Sequence, residues 1–176
     1  MLYQIHQAYW TLNFNIFFSI TYSFPFPVNI EKFLVSNFLL IVHEAGHTFF
    51  SIFGSRIFTI LGGSLNEILL PLLIVIFTLI NRYIQGSQFS LYLFGTAWFS
   101  VAFYAADGAQ RQLPLIGNLG KESHDWHNLL RHYNLLEYDG SVALTFMIIG
   151  IILYVAALSV PIWLKSYETA DLDLNL

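Results

Sequence analysis

Long apolar runs separated by short polar breaks dominate this chain. A helix that crosses a bilayer needs about 20 mostly apolar residues, and five runs approach or reach that length. The first covers about residues 8–24; Asn13 and Asn15 interrupt it, and Pro25 and Pro27 close it because proline cannot continue a helix. The second covers about residues 33–53 and stops at Gly54-Ser55-Arg56. The third, about residues 65–83, follows an expected turn at Gly62-Gly63-Ser64. The fourth covers about residues 89–106, and the fifth about 141–164, ending at Pro161 and Lys165.

The longest polar connection, residues 107–140, joins the fourth and fifth runs. Within it, Trp126, Leu129, Leu130, Tyr133 and Leu136 fall at helical spacing. The spacing predicts a helix over residues 125–136, capped by Ser123 or Asp125, lying on the membrane surface with its apolar stripe in the lipid interface. A short helix packed on other loops is the alternative. The fold class expected is all-α: one polytopic transmembrane helical bundle over residues 1–176, with about five spans plus an interfacial amphipathic helix. The tail from Glu168 onward is acidic and expected to fray.

Composition strengthens this reading. Of the 176 residues, 56% are hydrophobic and only 10% charged, against about 25% charged in an ordinary soluble domain. So few charges cannot coat a water-facing surface, whereas a lipid bilayer needs none. The seven Lys and Arg residues are scattered singly, so no nucleic-acid partner is expected. The start of the chain lacks the basic residues and cleavage site of a signal peptide. With five spans, Arg56, Arg111, Lys121 and Arg131 share the side of the N-terminus, against Lys32, Arg82 and Lys165 opposite. The positive-inside rule then favours a cytoplasmic N-terminus, with a bacterial inner membrane the expected location. Cysteine is absent, so any metal must be held by His, Asp or Glu.

The candidate chemistry lies in the second run, at His43-Glu44-Ala45-Gly46-His47. Residues four apart on a helix share a face, so both imidazoles can reach one ion. Glu44, beside the first histidine, can act on water at that ion as a general base. A charged group at the centre of a transmembrane helix costs roughly 2.5–3.5 kcal/mol, and a bound metal offsets that cost. A buried His–Glu cluster that only joins helices is the alternative. Two imidazoles with a carboxylate suit zinc. The third ligand must come from elsewhere: Asp107 is the first choice, with His124 and Asp125 as alternates. His6, His127 and His132 are expected to be incidental or on the surface. Asn66 is a candidate substrate-binding residue, although Asn66 and Glu67 also read as caps at the start of the third span. Pro71 is a possible kink opening a path to the metal.

HEAGH inside a transmembrane helix, a glycine turn leading to the next span and a later Asp-Gly together resemble the site-2 protease family of intramembrane zinc metalloproteases. The likeness covers the second to fourth spans. It implies zinc held by His43, His47 and Asp107, with Glu44 as catalytic base, and a membrane protein or peptide as substrate. Ala106 stands where that family usually carries leucine or proline before its aspartate. The stretch from Tyr104 to Trp126 looks more like a group of uncharacterised bacterial membrane relatives. A zinc-dependent lipid amide or ester hydrolase and a non-catalytic metal-binding scaffold are the other readings the sequence permits. A metal transporter fits less well, because spans one, three and five carry almost no ionisable residues in their expected interiors.

Overall fold

A computed structural model describes residues 28–113, 115 and 120–164, with side-chain burial from residue 33 onward. The first expected span and the acidic tail lie outside the described residues. All regular structure within them is helical: α1 (Val28–Ser51), α2 (Arg56–Ile80), α3 (Ile84–Ala106), α4 (Asp125–His132) and α5 (Asp139–Trp163), with short 3₁₀ turns at Lys121–Ser123 and Leu136–Tyr138. Helices α1, α2, α3 and α5 are each long and apolar enough to cross a membrane. Their outward faces are apolar: Ile41, Phe77, Ile152, Leu158 and Ile162 are all well exposed. This is the surface of a helical membrane protein, whose outside is solvated by lipid.

The short breaks end helices as their chemistry requires. Gly54 takes a positive φ of 66° after α1, and its N–H bonds the carbonyl of Ser51 at 2.9 Å, the left-handed stop that glycine adopts without cost. Helix α2 begins at Arg56, well before the expected start near residue 65. Gly62, Gly63 and Ser64 are therefore helical and buried, not a turn. Their role is close packing. A Cβ on Gly46 would strike the backbone carbonyl of Gly62, and one on Gly62 would lie 2.6 Å from the Phe50 Cβ. Between apolar helices in lipid, small residues of this kind let backbones approach and gain dispersion contact. Pro71 is buried inside α2, and Pro161 lies within the last turn of α5 rather than ending it.

Helices α3 and α5 form the most extensive pair, followed by α1 with α2. Gly95 and Gly150 face each other across the α3–α5 contact, where Tyr154 and Phe99 fill the space that side chains would take. The amphipathic segment departs from expectation. It is only Asp125–His132, and its apolar stripe turns into the protein. Trp126 and Leu130 are buried among Val101 and Ala105 of α3 and Ala143 of α5. An apolar stripe fits lipid and a protein core equally well; here the bundle supplies the deeper burial.

The glycine contacts separate two substitutions. Gly46→Ala meets a backbone carbonyl that cannot rotate away, so a loss on the order of 1–3 kcal/mol is expected. Gly150→Ala meets the Phe99 ring at 2.8 Å and the Gly95 carbonyl at 3.2 Å, a milder backbone clash than at Gly46, and gains helix propensity of about 1 kcal/mol. It should lose less stability than Gly46→Ala. Thermal unfolding of both variants in one detergent checks the order.

Candidate metal centre

Helix α1 presents His43 and His47 one turn apart, with ring centroids 4.9 Å apart. Each ring is oriented through its Nδ1. His43 Nδ1 donates to the Glu67 carboxylate at 3.0 Å, and His47 Nδ1 donates to the Thr59 carbonyl at 2.7 Å. Both partners belong to α2. With Nδ1 as donor, each neutral ring keeps its lone pair on Nε2. Gly63 makes room for these atoms: a Cβ there would lie 2.5 Å from His43 Nε2 and 2.7 Å from His47 Nε2.

Asp125, the first residue of α4, closes the cluster. Its Oδ2 lies 3.3 Å from His43 Nε2 and 3.1 Å from His47 Nε2. Four successive residues anchor this helix start to different parts of the bundle. His124 Nε2 donates to Asp107 at 3.1 Å. The Asp125 N–H donates to the Tyr104 hydroxyl at 3.1 Å, and that hydroxyl lies 3.3 Å from Asp125 Oδ2. Trp126 Nε1 donates to Ser64 at 3.1 Å. His127 Nδ1 donates to the Gly108 carbonyl at 2.7 Å.

The sequence-derived candidates separate accordingly. His43 and His47 come together, joined by the alternate Asp125; these form the only group of potential metal ligands found among the described residues. Asp107, the first-choice third ligand, points elsewhere. Its oxygens accept the N–H groups of Gln112 and Leu113 at 2.8 and 2.9 Å, and His124 Nε2. His124 does not join the cluster either, and it is His124, not Ser123 or Asp125, that caps α4: its Nδ1 accepts the His127 N–H at 3.2 Å. Asn66 donates its amide to the Val42 carbonyl at 2.7 Å, so that donor ties α2 to α1. His127, expected on the surface, is buried. Glu44 is exposed beside His43 and has no hydrogen bond or ion pair among the described residues.

Three contributors were not among the site residues expected from the sequence. Glu67 is a buried residue in the interior of α2 and orients His43 rather than capping a helix. Tyr104 holds Asp125, and the Thr59 carbonyl orients His47. A His followed at distance by a carboxylate is the only sequence signal for Glu67. Nothing in spacing marks Tyr104.

These residues fit a divalent cation. Two ring lone pairs and a carboxylate oxygen converge, and such a set is repulsive unless a proton or cation lies among them. Ligands about 2.0–2.1 Å from a tetrahedral zinc stand roughly 3.3 Å from one another, close to the 3.1 and 3.3 Å found between Asp125 and the imidazoles. The Glu67–His43 pairing is the orienting contact that metal-binding histidines usually make. The donors are unequally enclosed: the side chains are 7% exposed at His43, 16% at Asp125 and 24% at His47. Access is therefore on the His47 side.

Electrostatics keep both aspartates ionised. Burial alone would raise the Asp125 carboxyl, but when the facing imidazoles carry a proton on Nε2 their hydrogen bonds hold it below its ordinary value. Burial likewise opposes ionisation of Asp107, and the bonds from His124, Gln112 and Leu113 outweigh it. Comparison of the chain with protein-family models, with curated proteins and with solved structures found no match.

Two outcomes follow from this geometry. Gly63→Ala should leave the helices formed, by circular dichroism, while weakening metal affinity at least about tenfold, measured by competition with a chelator. The second concerns acid. The folded pKa of Asp107 lies below 3.8, so its contribution to stability is complete above that value and is lost as pH falls through the lowered one. Hydrogen-exchange protection factors in α4, corrected for the intrinsic pH dependence of exchange, should therefore fall on acidification below the ordinary carboxylate range, and Asp107→Asn should blunt that acid response.

Proposed function

We propose that the chain is a membrane-embedded, zinc-dependent hydrolase that cuts a peptide bond of a membrane-associated protein or peptide. The reading is carried by one observation: His43 Nε2, His47 Nε2 and Asp125 Oδ2 converge within apolar helices, with Glu44 next in sequence to the first of them. These three residues would hold the ion, and Asp125 takes the place that the likeness to site-2 proteases gives to Asp107. Zinc bound there would supply Lewis acidity, polarising a carbonyl and making water a stronger acid.

The chain's own groups then divide the work. Glu44 accepts a proton from the attacking water as its oxygen bonds to the substrate carbonyl carbon. The C–N bond breaks, and Glu44 returns that proton to the leaving amine. Glu67 and the Thr59 carbonyl keep the two imidazoles aimed with Nε2 inward. Tyr104 keeps the Asp125 backbone and carboxylate in register. A helical substrate must unwind locally, because its amides are internally bonded in a helix. The more exposed His47 edge is the side on which such a strand would arrive.

The centre lies toward the end of α1 and takes a ligand from the α3–α5 connection. The connections on that side carry Arg56, Arg111, Lys121 and Arg131, so the positive-inside rule favours a site near the cytoplasmic face. A bacterial inner membrane suits this arrangement.

Glu44→Gln keeps the shape of the side chain and removes the base. It should retain bound zinc while turnover of a quenched single-span peptide falls about 10²–10⁴-fold. Full turnover in a zinc-loaded Glu44→Gln protein would contradict the proposal.

A further inference from the structure

The metal-centre reading leaves one buried acid–imidazole pair without a task. Asp107 is 6% exposed and His124 only 1%, and neither reaches the cluster of Asp125 and the α1 histidines. Asp107 Oδ1 accepts the Gln112 N–H; Oδ2 accepts the Leu113 N–H and His124 Nε2. Becoming a metal ligand would break several of these bonds and leave buried donors unsatisfied. The ring of His124 is equally committed. Its Nδ1 accepts the His127 N–H, which places the proton on Nε2, the atom that donates to Asp107.

Resting on the zinc-centre reading, we propose that Asp107 and His124 form a positioning clamp that carries Asp125 to the two α1 imidazoles, so that Asp107 governs metal affinity without touching the ion. The imidazole links the end of α3 to the first turn of α4, and Asp125 is the next residue along. The clamp joins residues 17 apart in sequence, across a connection whose closure costs chain entropy. The bond from His127 to the Gly108 carbonyl secures the same junction from the other side of Asp125. Tyr104 fills the space between clamp and centre: its ring lies 4.5 Å from His124 and 5.6 Å from His43, and its hydroxyl meets Asp125. A shift of His124 is thereby passed to Asp125 through both the backbone and a packed ring.

Co²⁺ is the probe, because its visible absorption reports the ligand set directly. Wild type, Asp107→Asn, Asp125→Asn, His124→Ala, His124→Gln and Leu91→Ala are purified as full chains in detergent. Leu91 packs against Val75, Ala157 and Val160, outside the centre, and serves as a control for general destabilisation. Asp107→Asn should bind one Co²⁺ with the wild-type band shape and about 10–100-fold weaker affinity. Asp125→Asn should alter the band shape. His124→Gln, whose amide can still donate to Asp107, should recover much of the affinity lost in His124→Ala. Leu91→Ala should melt earlier with unchanged affinity.

An Asp107→Asn spectrum altered in the manner of Asp125→Asn would make Asp107 a ligand and overturn the clamp. Unchanged affinity in Asp107→Asn would overturn it as well. If Asp107→Asn does not fold, the two His124 variants decide: equal affinity in both contradicts the proposal, and partial recovery in Gln supports it. A wild-type protein with no Co²⁺ band would refute the metal centre itself, and the clamp with it.

Discussion

Two imidazole lone pairs and one carboxylate oxygen share a small volume among apolar helices, and much of the surrounding structure serves that convergence. Left alone, the three acceptors repel one another in a medium that screens charge poorly. A cation among them would turn this repulsion into attraction. The close approach of α1 and α2 is what lets the three groups converge. Gly46 and Gly62 let the two backbones meet, and Gly63 leaves the space into which both ring nitrogens point. Any side chain at that last position would collide with those ring nitrogens.

Most polar groups around the centre are bonded in layers, as an apolar surrounding demands, although Glu67 Oε1 is buried with no hydrogen-bond partner among the described residues. Helix α2 supplies Glu67 and the Thr59 carbonyl to the two rings. Helix α3 supplies Tyr104 to Asp125. The polar connection supplies Asp125 itself, secured by the contacts of His124, Trp126 and His127. Helix α4 is thus an inserted plug whose first residue, Asp125, meets the two imidazoles. Its burial against α3 and α5 through Trp126 and Leu130 gives that residue a rigid base, and rigidity in the support is what fixes ligand geometry.

The four described spans were legible because length and apolar content alone define them, and α1, α3 and α5 lie close to the runs read from the sequence. The histidine pair was legible because its spacing matches a helical turn. Other features were ambiguous for physical reasons. Gly62-Gly63-Ser64 signals a turn and a close helix contact equally, and taking it as a turn displaced the start of α2 from Arg56 toward residue 65. That displacement put Glu67 at a helix cap rather than in the interior, hiding its bond to His43. The stripe containing Trp126 and Leu130 has the same period whether it meets lipid or protein, so the insertion of α4 could not be read from periodicity. The choice between Asp107 and Asp125 depends on where the two ends of the α3–α4 connection are held, and tertiary hydrogen bonds such as His124 to Asp107 and His127 to Gly108 set this rather than local sequence.

The most direct measurement is anomalous diffraction at the zinc edge from crystals of the protein purified without chelator. The expected result is a single peak within ligand distance of His43 Nε2, His47 Nε2 and an Asp125 oxygen, with Asp107 bonded to His124 and remote from it. Zinc-loaded crystals with no peak between the two imidazoles, or with the peak on Asp107 in place of Asp125, would contradict the central claim.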